Sequence, residues 1–269
     1  MTTKLVICDI DATLVNEKKE LTPRTKKDLI QLHEKGIYFG IASGRPADEL
    51  KRNKEYWDLP FDFDFVVGMN GAELWDGVHQ KFYSYFMMKK EWLKETMEIM
   101  TVVKCNPMIY WDGKIRCVHI DDWMIHSAST SHKELEVVKL EDFYAHENAK
   151  IMFRMKEEDM PKAEAWVKEH PNPYYHGFKT QSTLLEFCDK RINKGYGLKK
   201  ICELNDLDIK DVMAFGDTSN DNDMLKVAGC GVCMINGTDD TKACANAITK
   251  QDNDHDGLAI YLEESGILC

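Results

Sequence analysis

The chain has 269 residues, of which 43% are hydrophobic and 30% charged, with 16 Gly and 7 Pro; this is the make-up of a folded protein with one large or two modest domains, and it excludes disordered, collagen-like and coiled-coil classes. A formal charge of −11 at pH 7 repels phosphate backbones, so nucleic acid is not expected as the main partner. No run approaches the roughly 20 apolar residues that span a bilayer, the start Met1-Thr2-Thr3-Lys4 leads only to Leu5–Cys8 before Asp9 intervenes, and nine cysteines are scattered without a framework, so reduced thiols, a cytoplasmic location and no membrane contact are expected.

The opening run 5–8 is continuous and apolar, as a buried parallel strand is, and it ends in Asp9-Ile10-Asp11. Thr22-Pro23 then offers an N-cap and a first-turn proline for a helix that Lys35-Gly36 closes. A strand over 37–42 runs into Ser43-Gly44-Arg45-Pro46 and a helix to about 57; a third strand over 64–67 ends in Gly68-Met69-Asn70-Gly71. Three strand-to-helix steps of this kind predict a parallel α/β sheet. From about residue 82 the character changes, with a strand over 82–87, a long helix over 89–103, and strands over 108–111 and 114–119 around Asp112-Gly113, a pair suited to a two-residue hairpin turn. Strands over 151–155, 174–178 and 184–188 and a helix over 159–169 complete this α+β stretch. The first style then returns with helix 194–204, strand 212–215, helix 220–227, strand 231–234 and helix 240–247. The α/β domain is therefore split by an insertion, with core 1–83 and 189–269 and inserted domain 84–188.

Ligands of open parallel sheets bind beyond the carboxyl ends of the strands, and the polar residues of interest fall there. Asp9 and Asp11 can lean over one edge and share a hard cation such as Mg²⁺; equally, such a pair suits a strand-exit turn with solvated carboxylates. Ser43-Gly44-Arg45 before a helix is either an anion site or a simple cap. Lys194-Gly195 can return a cation to the same rim, and Gly216-Asp217-Thr218-Ser219-Asn220-Asp221 adds two carboxylates and an amide in a tight turn.

Together these four segments resemble the four motifs of haloacid dehalogenase superfamily phosphatases, and their spacing resembles the Cof-like branch, whose habits Asn70-Gly71-Ala72, Gly231-Val232-Cys233-Met234 and Asp256-Gly257 also match. The resemblance covers both core segments and is weakest across the insertion. Ala12 stands where relatives usually have glycine, and Gly237 where alanine is common. The resemblance implies a Rossmann-like parallel-sheet core with an inserted α+β cap domain, and hydrolysis of small phosphorylated metabolites, sugar phosphates first and nucleotide or cofactor phosphates after. It makes Asp9 the nucleophile that carries an aspartyl-phosphate and Asp11 the acid and base. The resemblance likewise implies Mg²⁺ held by Asp9, the Asp11 carbonyl and Asp217, with Asp221 a ligand or the support of one. On the same resemblance Ser43, Gly44, Lys194 and Asn220 are expected to bind the phosphoryl oxygens and Arg45 to contact substrate or loop. Alternatives are a sugar phosphomutase or a non-catalytic sensor, the latter disfavoured because sensing needs no nucleophile. A monomer or homodimer is expected.

Three further signals are weighed. Trp111, His119, Trp123 and His126 offer a cap lining for substrate, although aromatics at such positions usually form core. Asp252-Asn253-Asp254-His255-Asp256-Gly257 with Glu263 fits a calcium-loop pattern, but too little chain follows Glu263 for the second helix. Cys230 and Cys233 form a lone C-x-x-C without the second ligand pair that zinc wants.

Overall fold

The computed structural model describes residues 3–268; Met1 and Thr2 of the chain start and the thiol of Cys269 lie outside the described residues. Strand β1 (Leu5–Cys8) is buried along its whole length, as an apolar run is when both faces of its sheet are covered. Helix α1 (Pro23–Glu34) starts where Thr22 accepts the Thr25 N–H and Pro23 removes an amide that would go unpaired. Strand β2 (Tyr38–Ala42) follows, and two short helices, α2 (Ala47–Lys51) and α3 (Asn53–Tyr56), stand in place of one helix to residue 57.

The third step differs from expectation. After β3 (Phe65–Gly68), Met69, Asn70 and Gly71 take positive φ in succession, 48°, 56° and 108°. Such backbone cannot propagate a right-handed helix, and the chain reverses into antiparallel β4 (Glu73–Asp76) and on to β5 (Lys81–Ser84). The expected strand over 82–87 is thus displaced to β5, and only Met88 bridges further, to Asn148.

Next come α4 (Lys90–Ile99), β6 (Cys105–Trp111), β7 (Lys114–Cys117), α5 (Asp122–Ser131), β8 (Leu135–Val137), β9 (Lys150–Met155), α6 (Met160–Glu169), β10 (Tyr175–Gln181) and β11 (Leu184–Asp189). They build a sheet in the order β10-β11-β9-β6-β7-β8. It is antiparallel except between β7 and β8. Asp112 and Gly113 both have positive φ, 50° and 73°, as the β6–β7 turn requires. Strand alternation sends Ile151, Phe153 and Met155 to one side, with Leu93 of α4 and Ala163 of α6, and Met152 to the other, with Met124 of α5.

The chain then forms α7 (Lys194–Leu204), β12 (Val212–Gly216), α8 (Asn222–Val227), β13 (Cys230–Cys233), α9 (Asp239–Cys244), β14 (Ala247–Ile248) and α10 (Gly257–Glu264). These strands join the first set in one sheet, β14-β13-β12-β1-β2-β3-β4-β5, parallel from β14 to β3. Val6, Cys8, Phe39, Ile41, Phe215 and Val232 of its strands pack with Leu29 of α1 and Leu258 of α10 in one apolar core. The chain forms two compact units, one up to Tyr83 and from Asn193 onward, the other Ser84–Ile192. Among the described residues every cysteine is a free thiol, and no helix is long and apolar enough to cross a membrane.

Candidate active site

Strands β12, β1 and β2 are parallel neighbours, so their carboxyl ends open on one edge of the sheet. Asp9 is the first residue beyond β1, its N–H donating to the Phe215 carbonyl at 2.9 Å, and its side chain is nearly buried. Asp217 is the first beyond β12, and the Thr13 hydroxyl donates to its Oδ1 at 2.9 Å. Asp221 turns back beneath the same loop, its Oδ2 accepting the N–H groups of Asp217 at 3.0 Å and Thr218 at 3.2 Å. Glycine at 216 makes that return possible, because a Cβ there would lie 2.5 Å from both Cβ and Cγ of Asp221. At Gly237 likewise a Cβ would lie 2.6 Å from Cys233 Sγ and 2.8 Å from the Asp217 carbonyl oxygen, so an alanine there would require its neighbours to shift.

Lys194 opens α7, whose cap Asn193 accepts the Tyr196 N–H at 2.7 Å. It is fully buried, and its Nζ donates to Asp9 Oδ1 and, at 2.6 Å, to Asp221 Oδ1. Burial alone would lower its pKa, but the Asp221 and Asp9 carboxylates outweigh burial and raise it, so the ammonium is charged. Oxygens of Asp9, Asp217 and Asp221 lie within 4.8 Å of one another. Burial pushes Asp9 up to about 8, Lys194 opposing and Asp221 and Asp217 adding to the rise. Burial and the Asp221 charge push Asp217 up to about 6. One ammonium does not balance three crowded carboxylates, and an all-oxygen set of this kind fits a hard divalent cation.

Asp11 is not part of that group. Its side chain turns to Arg45, whose Nη2 stands 2.9 Å from Oδ2, and to Lys19, 2.7 Å from Oδ1. Burial would raise its pKa, yet the Arg45 and Lys19 charges prevail and hold it below the usual value. The turn that carries it places Ala12 at φ 58°, a left-handed conformation that glycine adopts without cost. The Asn236 amide donates to the Ala12 carbonyl at 2.8 Å and ties the turn down.

Ser43 and Gly44 lie in the loop between β2 and α2, not on the helix itself. The loop is latched to the β3 reversal: the N–H groups of Met69 and Asn70 donate to the carbonyls of Arg45 at 2.8 Å and Ser43 at 3.0 Å. Asn70 stands against Gly44, and the Asn220 amide reaches its Oδ1 at 3.5 Å. Thr13, Asn70, Lys19 and Asn236 thus belong to the site's framework; Thr13 and Asn70 lie in segments that carry the family resemblance but had no role assigned, and Lys19 and Asn236 had no motif to mark them. Asn-Gly at 70–71 was the one available signal for Asn70; the others are set by tertiary contact.

The remaining candidates separate. Trp111 packs with the α4/α6 side of the second sheet and stacks on His146 at 4.7 Å. Trp123 is on α5, against the opposite side, with Arg154 5.8 Å from its ring, so Trp111 and Trp123 do not share one lining. In the 252–257 segment the Asp252 carboxylate caps Asp254 and His255, Asp254 accepts the Glu17 N–H, Asp256 accepts from Thr22, and Glu263 pairs with Arg24. Those oxygens are committed to the fold. Cys233 is buried beside the Met234 carbonyl and Cys230 lies near Tyr261, as core-strand thiols do.

The sequence profile of the haloacid dehalogenase-like hydrolase family matches residues 6–262. The chain is 26% identical over 270 residues to the 5-amino-6-(5-phospho-D-ribitylamino)uracil phosphatase YitU of Bacillus subtilis, covering 97% of this chain and 96% of that one. It is 29% identical over 256 residues to YcsE of the same organism, which carries the same description, covering 95% and 93%. A solved HAD subclass IIB sugar phosphatase superposes with a TM-score of 0.83 at 22% identity, covering 98% of this chain and 100% of that one. The chain belongs to the haloacid dehalogenase-like hydrolases and is a phosphatase of that family.

Proposed function

We propose that this phosphatase hydrolyses phosphomonoesters of small metabolites in two steps through Asp9, with Mg²⁺ as its cofactor. The observation that carries the reading is the buried cluster at the strand ends, where the nucleophile candidate Asp9 shares one ammonium, Lys194, with Asp221 and sits beside Asp217. Mg²⁺ held by Asp9, the Asp11 carbonyl and Asp217, with Asp221 in support, would offset the repulsion between a carboxylate and a phosphate dianion.

In the first step an Asp9 oxygen attacks phosphorus, the phosphorus–oxygen ester bond breaks, and the leaving alkoxide takes a proton from Asp11, which has to gain that proton against the Arg45 and Lys19 charges that favour its ionised form in the resting site. In the second, Asp11 removes a proton from water as its oxygen displaces Asp9, releasing phosphate. The net change is one ester and one water to one alcohol and one phosphate. Lys194, Ser43, the Gly44 amide and Asn220 bind the phosphoryl oxygens, stabilising charge that the transition state spreads over them. Lys194 is fully buried and already oriented by its two carboxylate partners, which favours its place beside the reacting oxygen.

For substrate, sugar and polyol phosphates come first, supported by the phosphorylated ribityl chain in the descriptions of the two Bacillus relatives and by the sugar phosphatase of like fold. Nucleotide and cofactor phosphates come next. The test is phosphate release from a panel of sugar, polyol, nucleotide and cofactor monophosphates, with EDTA and Asp9→Asn as controls. Release that both controls abolish supports the reading. Release that survives Asp9→Asn rejects the nucleophile, and isomerisation of a sugar phosphate without release would favour a mutase.

A further inference from the structure

The connection between β3 and β4 is more strained than a hairpin requires. Gly68 pairs with Glu73, so the residues between them make the turn, and a connection of that length is ordinarily built on a type I turn whose central residues have negative φ. Here Met69, Asn70 and Gly71 all take positive φ, a conformation that L side chains other than asparagine and aspartate rarely adopt, and the Met69 side chain is buried in it. Strain of this kind persists only where surrounding contacts over-determine it. The Met69 and Asn70 N–H groups are spent outside the hairpin, on the carbonyls of Arg45 at 2.8 Å and Ser43 at 3.0 Å. The Asn70 amide lies over Gly44, where an added Cβ would stand 3.4 Å from both Oδ1 and Nδ2, and its Oδ1 receives the Asn220 amide at 3.5 Å. Gly71 lies against the start of α7, since a Cβ there would stand 2.4 Å from the carbonyl oxygen of Asn193, the residue before Lys194. The three residues thus touch each segment that carries a proposed phosphoryl ligand: the Ser43 loop, the start of α7 and the turn with Asn220.

We infer that the 69–71 reversal sets the spacing of the phosphoryl ligands, with Asn70 as the positioning residue that joins the Ser43 loop to Asn220. The inference rests on the reading of Ser43, Gly44, Lys194 and Asn220 as ligands of the phosphoryl group, and Asn70 acts through Gly44 and Asn220. Removing its amide frees one loop to move against the other, which weakens the hold on any phosphoryl group whatever alcohol it is esterified to. The carboxylates of Asp9, Asp217 and Asp221 keep their own partners, Lys194, Thr13 and the N–H groups of 217 and 218, so the Mg²⁺ site is left as it was.

The experiment measures the affinity for inorganic phosphate with Mg²⁺ present, by calorimetry and as product inhibition of the best ester of the panel, with Tm recorded alongside. Wild type, Asn70→Gly, Asn70→Ala, Asn220→Ala and the double variant Asn70→Gly/Asn220→Ala are compared. Glycine and alanine both remove the amide, but only alanine carries the strain of a left-handed backbone. The two Asn70 variants should therefore weaken phosphate by the same factor, roughly fivefold to tenfold as for one lost hydrogen bond, with Mg²⁺ affinity within about twofold of wild type. Only Asn70→Ala should fall in Tm. Because Asn70 acts partly through Asn220, the double variant should lose less affinity than the product of the two single losses. Phosphate affinity unchanged in both Asn70 variants, affinity that falls only in step with Tm, or losses that multiply in the double variant would overturn the inference. A wild type that binds no phosphate would remove the ligand assignment on which it stands, whereas one that binds phosphate yet releases none from any ester would reject the hydrolytic reading instead.

Discussion

Replacing Lys194 by methionine keeps most of the side-chain volume and deletes the one cation shared by Asp9 and Asp221. Lys194 and Asp221 are fully buried and Asp9 nearly so, so water cannot take over the lost partner. Breaking a buried ion pair on one side costs about 3–5 kcal/mol, which for a unit of this size is a fall in Tm of roughly 10 °C. The pH dependence gives the test its edge. In the wild type the raised Lys194 value keeps that ion-pair contribution intact below about pH 10, so the lysine itself adds no slope at neutral pH. Asp9 at about 8 and Asp217 at about 6 lie above the unfolded value of about 3.9. Between about pH 4 and 8 the folded state therefore binds more protons than the unfolded one, and stability falls as pH rises. Without Lys194 these carboxylates are pushed higher still and the fall steepens. Thermal unfolding in EDTA should show a Lys194→Met deficit that is small at pH 5 and full at pH 8, with Mg²⁺ recovering part of it. A deficit of the same size at both pH values, or none at either, would refute the claim that Lys194 neutralises this cluster.

Asp217→Ala should weaken Mg²⁺ binding by at least roughly tenfold, in line with the loss of one ligand or its support, and in calorimetry the wild-type affinity should tighten from pH 5 to pH 8 as protons leave Asp217; an affinity independent of pH would count against the cluster as the metal site. Gly216→Ala places a methyl 2.5 Å from Asp221 Cβ and Cγ, an overpacking that costs about 1–3 kcal/mol, and denaturant titration should register it while Mg²⁺ binding weakens in parallel. Ala12→Gly relieves a left-handed alanine at φ 58°, worth about 1–2 kcal/mol, against about 0.4–1 kcal/mol of extra unfolded-chain entropy. The net expectation is a modest gain in stability with the Asn236 contact kept, and a loss measured by the same titration would show that the turn is not strained there.

The edge on which the chemistry gathers was legible because each contributing segment is local: an apolar strand, then a polar turn, at β1, β2 and β12. Parallel order alone brings such exits together. Charge pairing across that edge was not legible, since Lys194 and Asp9 are 185 positions apart and Asp11 takes partners 8 and 34 positions away. Element type failed where backbone conformation overrode composition. Gly68-Met69-Asn70-Gly71 read as the exit of one more strand-to-helix step, yet three left-handed residues turn it into an antiparallel return. That return is what latches Asn70 onto the Ser43 loop, so the departure from the pattern lies at the site itself. In the second unit α5 was missed because Asp122–Ser131 is rich in serine, threonine and other weak helix formers; Asp121 accepting the Met124 N–H and the burial of Met124 and Ser127 hold it instead. The false calcium pattern fails for a related reason. A run of carboxylates is a metal site only if its oxygens are left over once the fold is made, and at 252–263 they are spent on caps and ion pairs. At the strand ends Asp221 is likewise engaged through both oxygens, but Lys194 and Thr13 take only Oδ1 of Asp9 and of Asp217, which leaves the Oδ2 atoms of that pair without a hydrogen bond among the described residues.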